Sequence, residues 1–122
     1  MVKTVERTFG WEVISFKNNL GQLHNTRGPA LRINYGNGVW EYTWYTSGLK
    51  HRTGGPAEEY SDGREWWYFK GQLHRHNGKA VIYPEGMLCT LPSYWLYGKS
   101  YTEYEFKNND EVLALQLKES LN

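Results

Sequence analysis

The run Gly48-Leu49-Lys50-His51-Arg52-Thr53-Gly54-Gly55-Pro56-Ala57 leads into a turn, Tyr60-Ser61-Asp62-Gly63, and then into the aromatic stretch Trp66-Trp67-Tyr68-Phe69 before Gly71. The same grammar lies on either side. The opening returns as Gly21-Gln22-Leu23-His24 and Gly71-Gln72-Leu73-His74, with a worn copy at Gly98-Lys99-Ser100-Tyr101. Four residues after each His stands a glycine: Gly28, Gly55 and Gly78. Pro29-Ala30, Pro56-Ala57 and Lys79-Ala80 follow. The turns are Tyr35-Gly36-Asn37-Gly38, Tyr60-Ser61-Asp62-Gly63 and Tyr83-Pro84-Glu85-Gly86. Aromatic pairs Trp44-Tyr45, Trp67-Tyr68 and Tyr94-Trp95 close the units. Such self-similarity marks a repeat architecture.

The units differ in length, and the differences are informative. From the Ala to the turn Tyr, the first copy is two residues longer than the others. From the turn Gly to the next opening Gly the spacings are 10, 8 and 12 residues. Every difference is even. Strand side chains alternate with period two, so two extra residues lengthen a strand without flipping later side chains to the other face. A helical repeat has no reason to respect even numbers. Asn37-Gly38 and Asp62-Gly63 are hairpin turns by composition, and Pro84 presets the third turn. Trp, Tyr, Val, Ile and Thr fill the segments between, as pleated half-buried surfaces prefer. The expected fold is mainly β, with each unit two antiparallel strands.

Gly-x-x-His, then Gly, a short strand, a Tyr-led turn ending in Gly, and an aromatic strand, near a 23-residue spacing, resembles the MORN repeat and its variants. The resemblance spans about residues 21–101, and Gly71 to Gly98 shows its opening and turn most plainly. Where the family opens its second strand with Gly-x-Gly, this chain has Gly28-Pro29-Ala30 and Gly55-Pro56-Ala57. The resemblance implies an elongated, curved sheet of stacked antiparallel hairpins. It also implies a binding or scaffolding role, which in some members is exercised at membranes or beside a separate catalytic domain.

The expected organisation is a β-hairpin repeat domain over residues 1–101, with an N-terminal strand at 9–17 and repeats from about 21, 48 and 71 and partially at 98, and a C-terminal helical cap over 102–122. Thr102 and Glu105 form a capping box for a short helix. Asp110 is placed to cap a second, in which Leu113, Leu117 and Leu121 with Ala114 make one stripe at i, i+4 spacing. That helix is expected to pack on the last repeat, since a repeat array needs closed ends. The sharper alternative has Val112 and Leu115, off the stripe, dock on another chain.

Composition narrows function. The 122 residues hold 6 Trp and 10 Tyr, too aromatic for a disordered chain. No apolar run reaches the length of a membrane helix, and Met1 to Gly10 lacks the apolar segment of a secretory leader. One cysteine, Cys89, forms no internal disulfide, and a cytoplasmic protein is expected. Net charge is +1, and the acidic residues concentrate after residue 101, so bulk charge does not favour nucleic acid.

Counted back from each opening glycine, one side of the chain carries Trp40, Tyr42, Trp44, Trp67, Phe69, Tyr94 and Leu96. The other carries Tyr45, Trp66, Tyr68, Trp95 and Tyr97. Both faces of the sheet are therefore aromatic, and the short terminal helix cannot cover even one. Exposed aromatic patches mark binding sites, although cross-strand ring pairs also stabilise thin sheets. The expected function is a non-enzymatic protein–protein interaction module (inhibitor, adaptor or scaffold), with Trp40, Tyr42, Trp44, Trp67, Tyr68, Trp95 and Tyr97 as partner-binding residues. A homodimer through the sheet or the C-terminal helix is a further expectation.

The alternative is a module for phospholipid head groups, nucleic acid or glycan, suggested by Arg27, Arg52, Arg75 and Lys99 at corresponding positions of the unit openings. Nucleic acid and membrane rank below a protein partner. No catalytic, cofactor-binding or metal residue is assigned. His24, His51 and His74 recur as structural residues do, each expected to fix its own turn. Successive hairpins lie too far apart for three of them to converge on zinc. Cys89 has no basic neighbourhood to activate it. Glu58 and Glu59, adjacent in a strand, point to opposite faces.

Overall fold

The computed structural model describes residues 1–121. The elements run β1 (Val2–Thr8), β2 (Trp11–Lys17), β3 (Leu31–Gly36), β4 (Val39–Thr43), β5 (Tyr45–Thr46), β6 (Leu49–Lys50), β7 (Glu58–Tyr60) and β8 (Glu65–Trp66). Then come β9 (Tyr68–Phe69), β10 (Gln72–Leu73), β11 (Val81–Ile82), β12 (Tyr94–Leu96), β13 (Lys99–Tyr101), α1 (Glu103–Asn108) and α2 (Asp110–Ser120). The stacked-hairpin fold with a helical cap is what the repeat spacing predicts. One antiparallel seven-stranded sheet takes β1-β2-β3-β4-β7-β8-β11 in that order. The pairs β5-β6, β9-β10 and β12-β13 form three separate two-stranded hairpins.

Each unit therefore contains more than two strands. The aromatic run does not continue as one strand to the next glycine. It leaves the large sheet at Trp44 and at Trp67 and enters a second row of short hairpins. The same hinge residue serves both rows. The N–H groups of Phe16, Trp44 and Trp67 donate to the carbonyls of Ala30, Ala57 and Ala80 at 2.8, 2.6 and 2.7 Å. Their carbonyls accept from the N–H groups of His24, His51 and His74 at 2.9, 3.1 and 3.0 Å. Phe16 is thus the counterpart of the two tryptophans, so the repeat begins earlier than its glycine signature.

The N-terminal strand expected over 9–17 begins at Trp11. Phe9 and Gly10, with φ of 51° and 81°, are a hairpin turn joining β2 to β1. The sequence signal for β1 was weak because all seven of its residues are exposed, so no buried alternation marks it. The register confirms that Trp11, Val13 and Ser15 share one face of β2, and Glu12, Ile14 and Phe16 the other.

The three histidines join successive units. His24 Nδ1 accepts from the Ser47 N–H at 2.9 Å, His51 Nδ1 from Lys70 N–H at 3.0 Å, and His74 Nδ1 from Tyr97 N–H at 2.8 Å. Each acceptor thus fixes the following unit's turn, not its own as the recurrence alone suggested. Ser47, Lys70 and Tyr97 all have φ near +46° to +47° and each precedes a glycine. An N–H that a two-residue turn points away from its own hairpin needs a partner from outside, and the preceding unit's histidine takes the place of water. In parallel, the N–H groups of Gly48, Gly71 and Gly98 donate to Leu23, Lys50 and Leu73 carbonyls at 2.8–2.9 Å.

The array has little deep core. Ala30, Ala57 and Ala80 are fully buried, one per unit. The large buried side chains gather at the C-terminal end: Tyr94, Leu96, Tyr101, Phe106 and Val112, with Leu115 packed against them. α1 begins with the expected capping box between Thr102 and Glu105. Asn109, not Asp110, caps α2, because its Oδ1 accepts from the Glu111 and Val112 N–H groups, and Asp110 lies one residue inside the helix.

The packed face of α2 is also opposite to the expected one. Val112 and Leu115 turn inward, while Leu113, Leu117 and Leu121 are exposed. Polar contacts that a hydrophobic stripe does not reveal accompany this packing. Gln116 Nε2 donates to the His76 carbonyl at 2.7 Å, and Glu119 Oε2 lies 3.1 Å from His76 Nδ1. Among the described residues no helix is long and apolar enough to cross a membrane.

His74→Ala should cost about 2–3 kcal/mol in urea unfolding, since it strands the Tyr97 N–H and opens a cavity. His74→Asn, whose amide oxygen reaches the same N–H, should recover part of that loss. Equal destabilisation by both would contradict the acceptor role.

Candidate binding surface

Strand register sorts the side chains of the large sheet. On one face, Ile14 and Arg32 are opposite, as are Arg32 and Tyr42, Asn34 and Trp40, and Tyr42 and Glu59. Trp44 and Trp67, at the hinges, continue this face. On the other stand Trp11, Ile33, Glu41, Tyr60, Trp66 and Val81. Four of the seven residues singled out for partner binding, Trp40, Tyr42, Trp44 and Trp67, thus share one face. All four are half-buried. Trp40 and Tyr42 stack with ring centroids 4.4 Å apart.

The other three lie elsewhere. Tyr68 points to the opposite side, where Lys50 Nζ sits 5.1 Å from its ring centroid and also donates to Glu58 Oε1 at 3.0 Å. Trp95 lies between the buried Tyr94 and Leu96 in β12, so it points away from the cap, and its Nε1 donates to the Pro92 carbonyl at 2.7 Å. Tyr97 occupies a turn, 43% exposed, stacked on His74 at 4.1 Å.

The unit-opening arginines are part of the first face. The Arg52 guanidinium lies 4.2 Å from the Trp44 ring centroid and that of Arg75 3.7 Å from Trp67. Arg52 donates to the Pro56 carbonyl and Arg75 to the Lys79 carbonyl, each at 3.1 Å. In the first unit Asn25 takes this role, donating to Pro29 at 3.2 Å. The glycine four residues after each His now has a cause. A Cβ at Gly55 would lie 2.7 Å from Arg52 Cζ, one at Gly78 3.2 Å from Arg75 Cζ, and one at Gly28 3.1 Å from an Arg32 guanidinium nitrogen. Arg32, from the neighbouring strand, fills over Gly28 the space its counterparts fill over theirs. Two members of the predicted basic row, Arg52 and Arg75, are therefore committed guanidiniums, and a third, Lys99, lies 5.2 Å from the Tyr101 ring centroid. Arg52 also lies 3.7 Å from Glu59. Arg27 remains exposed at a loop.

At the end of this face a cleft of about 400 Å³ opens between the second and third units. Arg52, Trp67, Phe69, Arg75, Tyr97 and Glu119 line it. Glu119 arrives from α2 and brings Oε1 to 2.8 Å from His74 Nε2, off line for a hydrogen bond, and Oε2 toward His76. Hydrogen bonding to this carboxylate, then burial and its charge, push the Tyr97 hydroxyl up to about 12. Glu119 had no sequence signal, because its partners lie more than 20 residues away.

The histidines offer little to metal or acid–base chemistry. A ring whose Nδ1 accepts an N–H carries its proton on Nε2, so neither nitrogen presents a free lone pair. Burial, and then the Lys70 charge, hold His51 below the usual histidine range, consistent with that neutral form. Glu58 and Glu59 do point to opposite faces, toward Lys50 and Arg52. No group of three metal-ligating side chains converges among the described residues. In comparisons with known proteins, no family model, no curated protein and no solved structure matches this chain.

Gly55→Ala should displace the Arg52 guanidinium from Trp44, with a changed tryptophan emission and a loss of about 1–2 kcal/mol. An unchanged emission would show that the stack does not depend on that glycine. Tyr97 favours its neutral form when folded. Its contribution to stability is therefore full below the ordinary tyrosine pKa and fades as pH rises toward about 12. Glu119→Gln should bring one tyrosine of the near-ultraviolet titration back toward 10. A titration curve left unmoved would place the cause elsewhere.

Proposed function

We propose that the chain is a non-enzymatic interaction module of MORN-like type that binds another protein, as inhibitor, adaptor or scaffold, through the face bearing Trp40, Tyr42, Trp44 and Trp67. One observation carries this reading. The helices pack on the last hairpin, and the rings along the large sheet stay half-exposed. Rings held rigidly by stacking and by guanidiniums lose little freedom on binding, which is what interface anchors need. Tyr97 extends the surface toward the cleft. Tyr68 and Trp95 point away from it and are secondary contacts.

Phosphate or nucleic-acid binding is the weaker reading, because Arg52 and Arg75 already serve their own loops. The lone thiol of Cys89 fits a reducing compartment, and the cytoplasm is the setting we favour.

Affinity capture from the source cells tests this. Trp40→Ser with Tyr42→Ser should abolish recovery of the partner and keep the far-ultraviolet spectrum, while Tyr83→Ser on the other face should leave recovery intact. Capture that survives the double change would overturn the assigned face. Capture that falls steeply with salt would favour the phosphate reading.

A further inference from the structure

Five turns place a non-glycine residue in the left-handed region: Phe9, Asn37, Ser47, Lys70 and Tyr97. Asn37, Ser47 and Lys70 are polar residues exposed to water, and Tyr97 stacks on His74. Phe9 differs. It is 95% exposed, and among the described residues no ring or cation stacks on it. A left-handed turn position disfavours a bulky side chain, and asparagine is the residue that fits it. The fold thus holds a phenyl ring in water at a disfavoured position at the tip of the β1-β2 hairpin, where its own burial compensates almost nothing. Immediately behind it sits an exposed ion pair, Arg7 to Glu12 at 2.9 Å.

The same chain carries a complementary hollow. The cleft of about 400 Å³ is walled by the rings of Trp67, Phe69 and Tyr97, and it is ample for one benzyl group. Its lining carries both signs of charge: Glu119 from α2, and Arg52 and Arg75, which keep their positive charge although their own loops hold them in place. Glu12 and Arg7 behind the projecting ring are the matching pair.

We infer that Phe9 of one copy seats in the Trp67–Tyr97 cleft of a second copy, so that the protein self-associates by a knob-and-cleft contact at the far end of the aromatic face, away from the Trp40–Tyr42 pair. Knob and cleft are different patches. Reciprocal exchange closes a dimer, and repetition in one direction builds an open chain. The contact is small, so association falls in the micromolar to millimolar range.

Sedimentation equilibrium of the full chain across that range gives the test. The wild-type mass should rise with concentration. Phe9→Asn, which suits the turn, should keep or raise the melting temperature and weaken association by at least about tenfold. Thr53→Trp, from an exposed position lining the cleft, should fill it and also leave a monomer. Mixing the two variants should restore a heterodimer, since one retains an open cleft and the other the knob. A wild-type monomer throughout, a Phe9→Asn protein that associates like wild type, or a mixture that stays monomeric would each overturn the contact.

Discussion

The structure depends on one hydrogen bond made three times: a histidine Nδ1 accepting the N–H of a left-handed turn residue in the next unit. A two-residue hairpin turn leaves that N–H pointing outward. At Tyr97, where the bond is partly buried, an unmatched N–H would cost a good part of a hydrogen bond; at the exposed Ser47 and Lys70 turns water would compete for it. Supplied with an acceptor from the preceding unit, it fixes the distance and the register between units at once. The hinge residues Phe16, Trp44 and Trp67 then share their backbone groups between the large sheet and the small hairpins. The two rows rise together.

This wiring explains how so thin a protein can be ordered with so little buried apolar area. Each unit buries one alanine methyl completely, and among the described residues most of the large buried side chains lie under the cap. The remaining order comes from backbone hydrogen bonds and from rings clamped by guanidiniums over glycines. A sheet stabilised in this way does not need to cover its faces. Its aromatic surface is free to meet a partner, and the fold's economy and the proposed function have the same origin.

Much of this was legible in the residues. Even-numbered length differences separate strands from helices because only strands have period two, and Asn37-Gly38 declared its turn. Other features were hidden for physical reasons. The chain leaves the large sheet at Trp44 and Trp67 without any change of alternation, so two rows of hairpins look like one long strand. β1 carries no buried face and hence no pattern. The leucine stripe of α2 misleads because contacts outside the helix set the packed face, Val112 and Leu115 on the Tyr94–Leu96 cluster and Gln116 and Glu119 on His76. Arg52 and Arg75 stood out as a repeated charge, but a charge stacked on its own tryptophan reads the same in sequence as one awaiting a phosphate.

The most direct measurement is a nitrogen-resolved magnetic resonance study of the imidazole rings, with transfer across hydrogen bonds. The account predicts that His24, His51 and His74 all carry their proton on Nε2. It also predicts that their Nδ1 atoms couple to the amides of Ser47, Lys70 and Tyr97 respectively. Rings protonated at Nδ1, or turn amides that exchange freely with water, would contradict it.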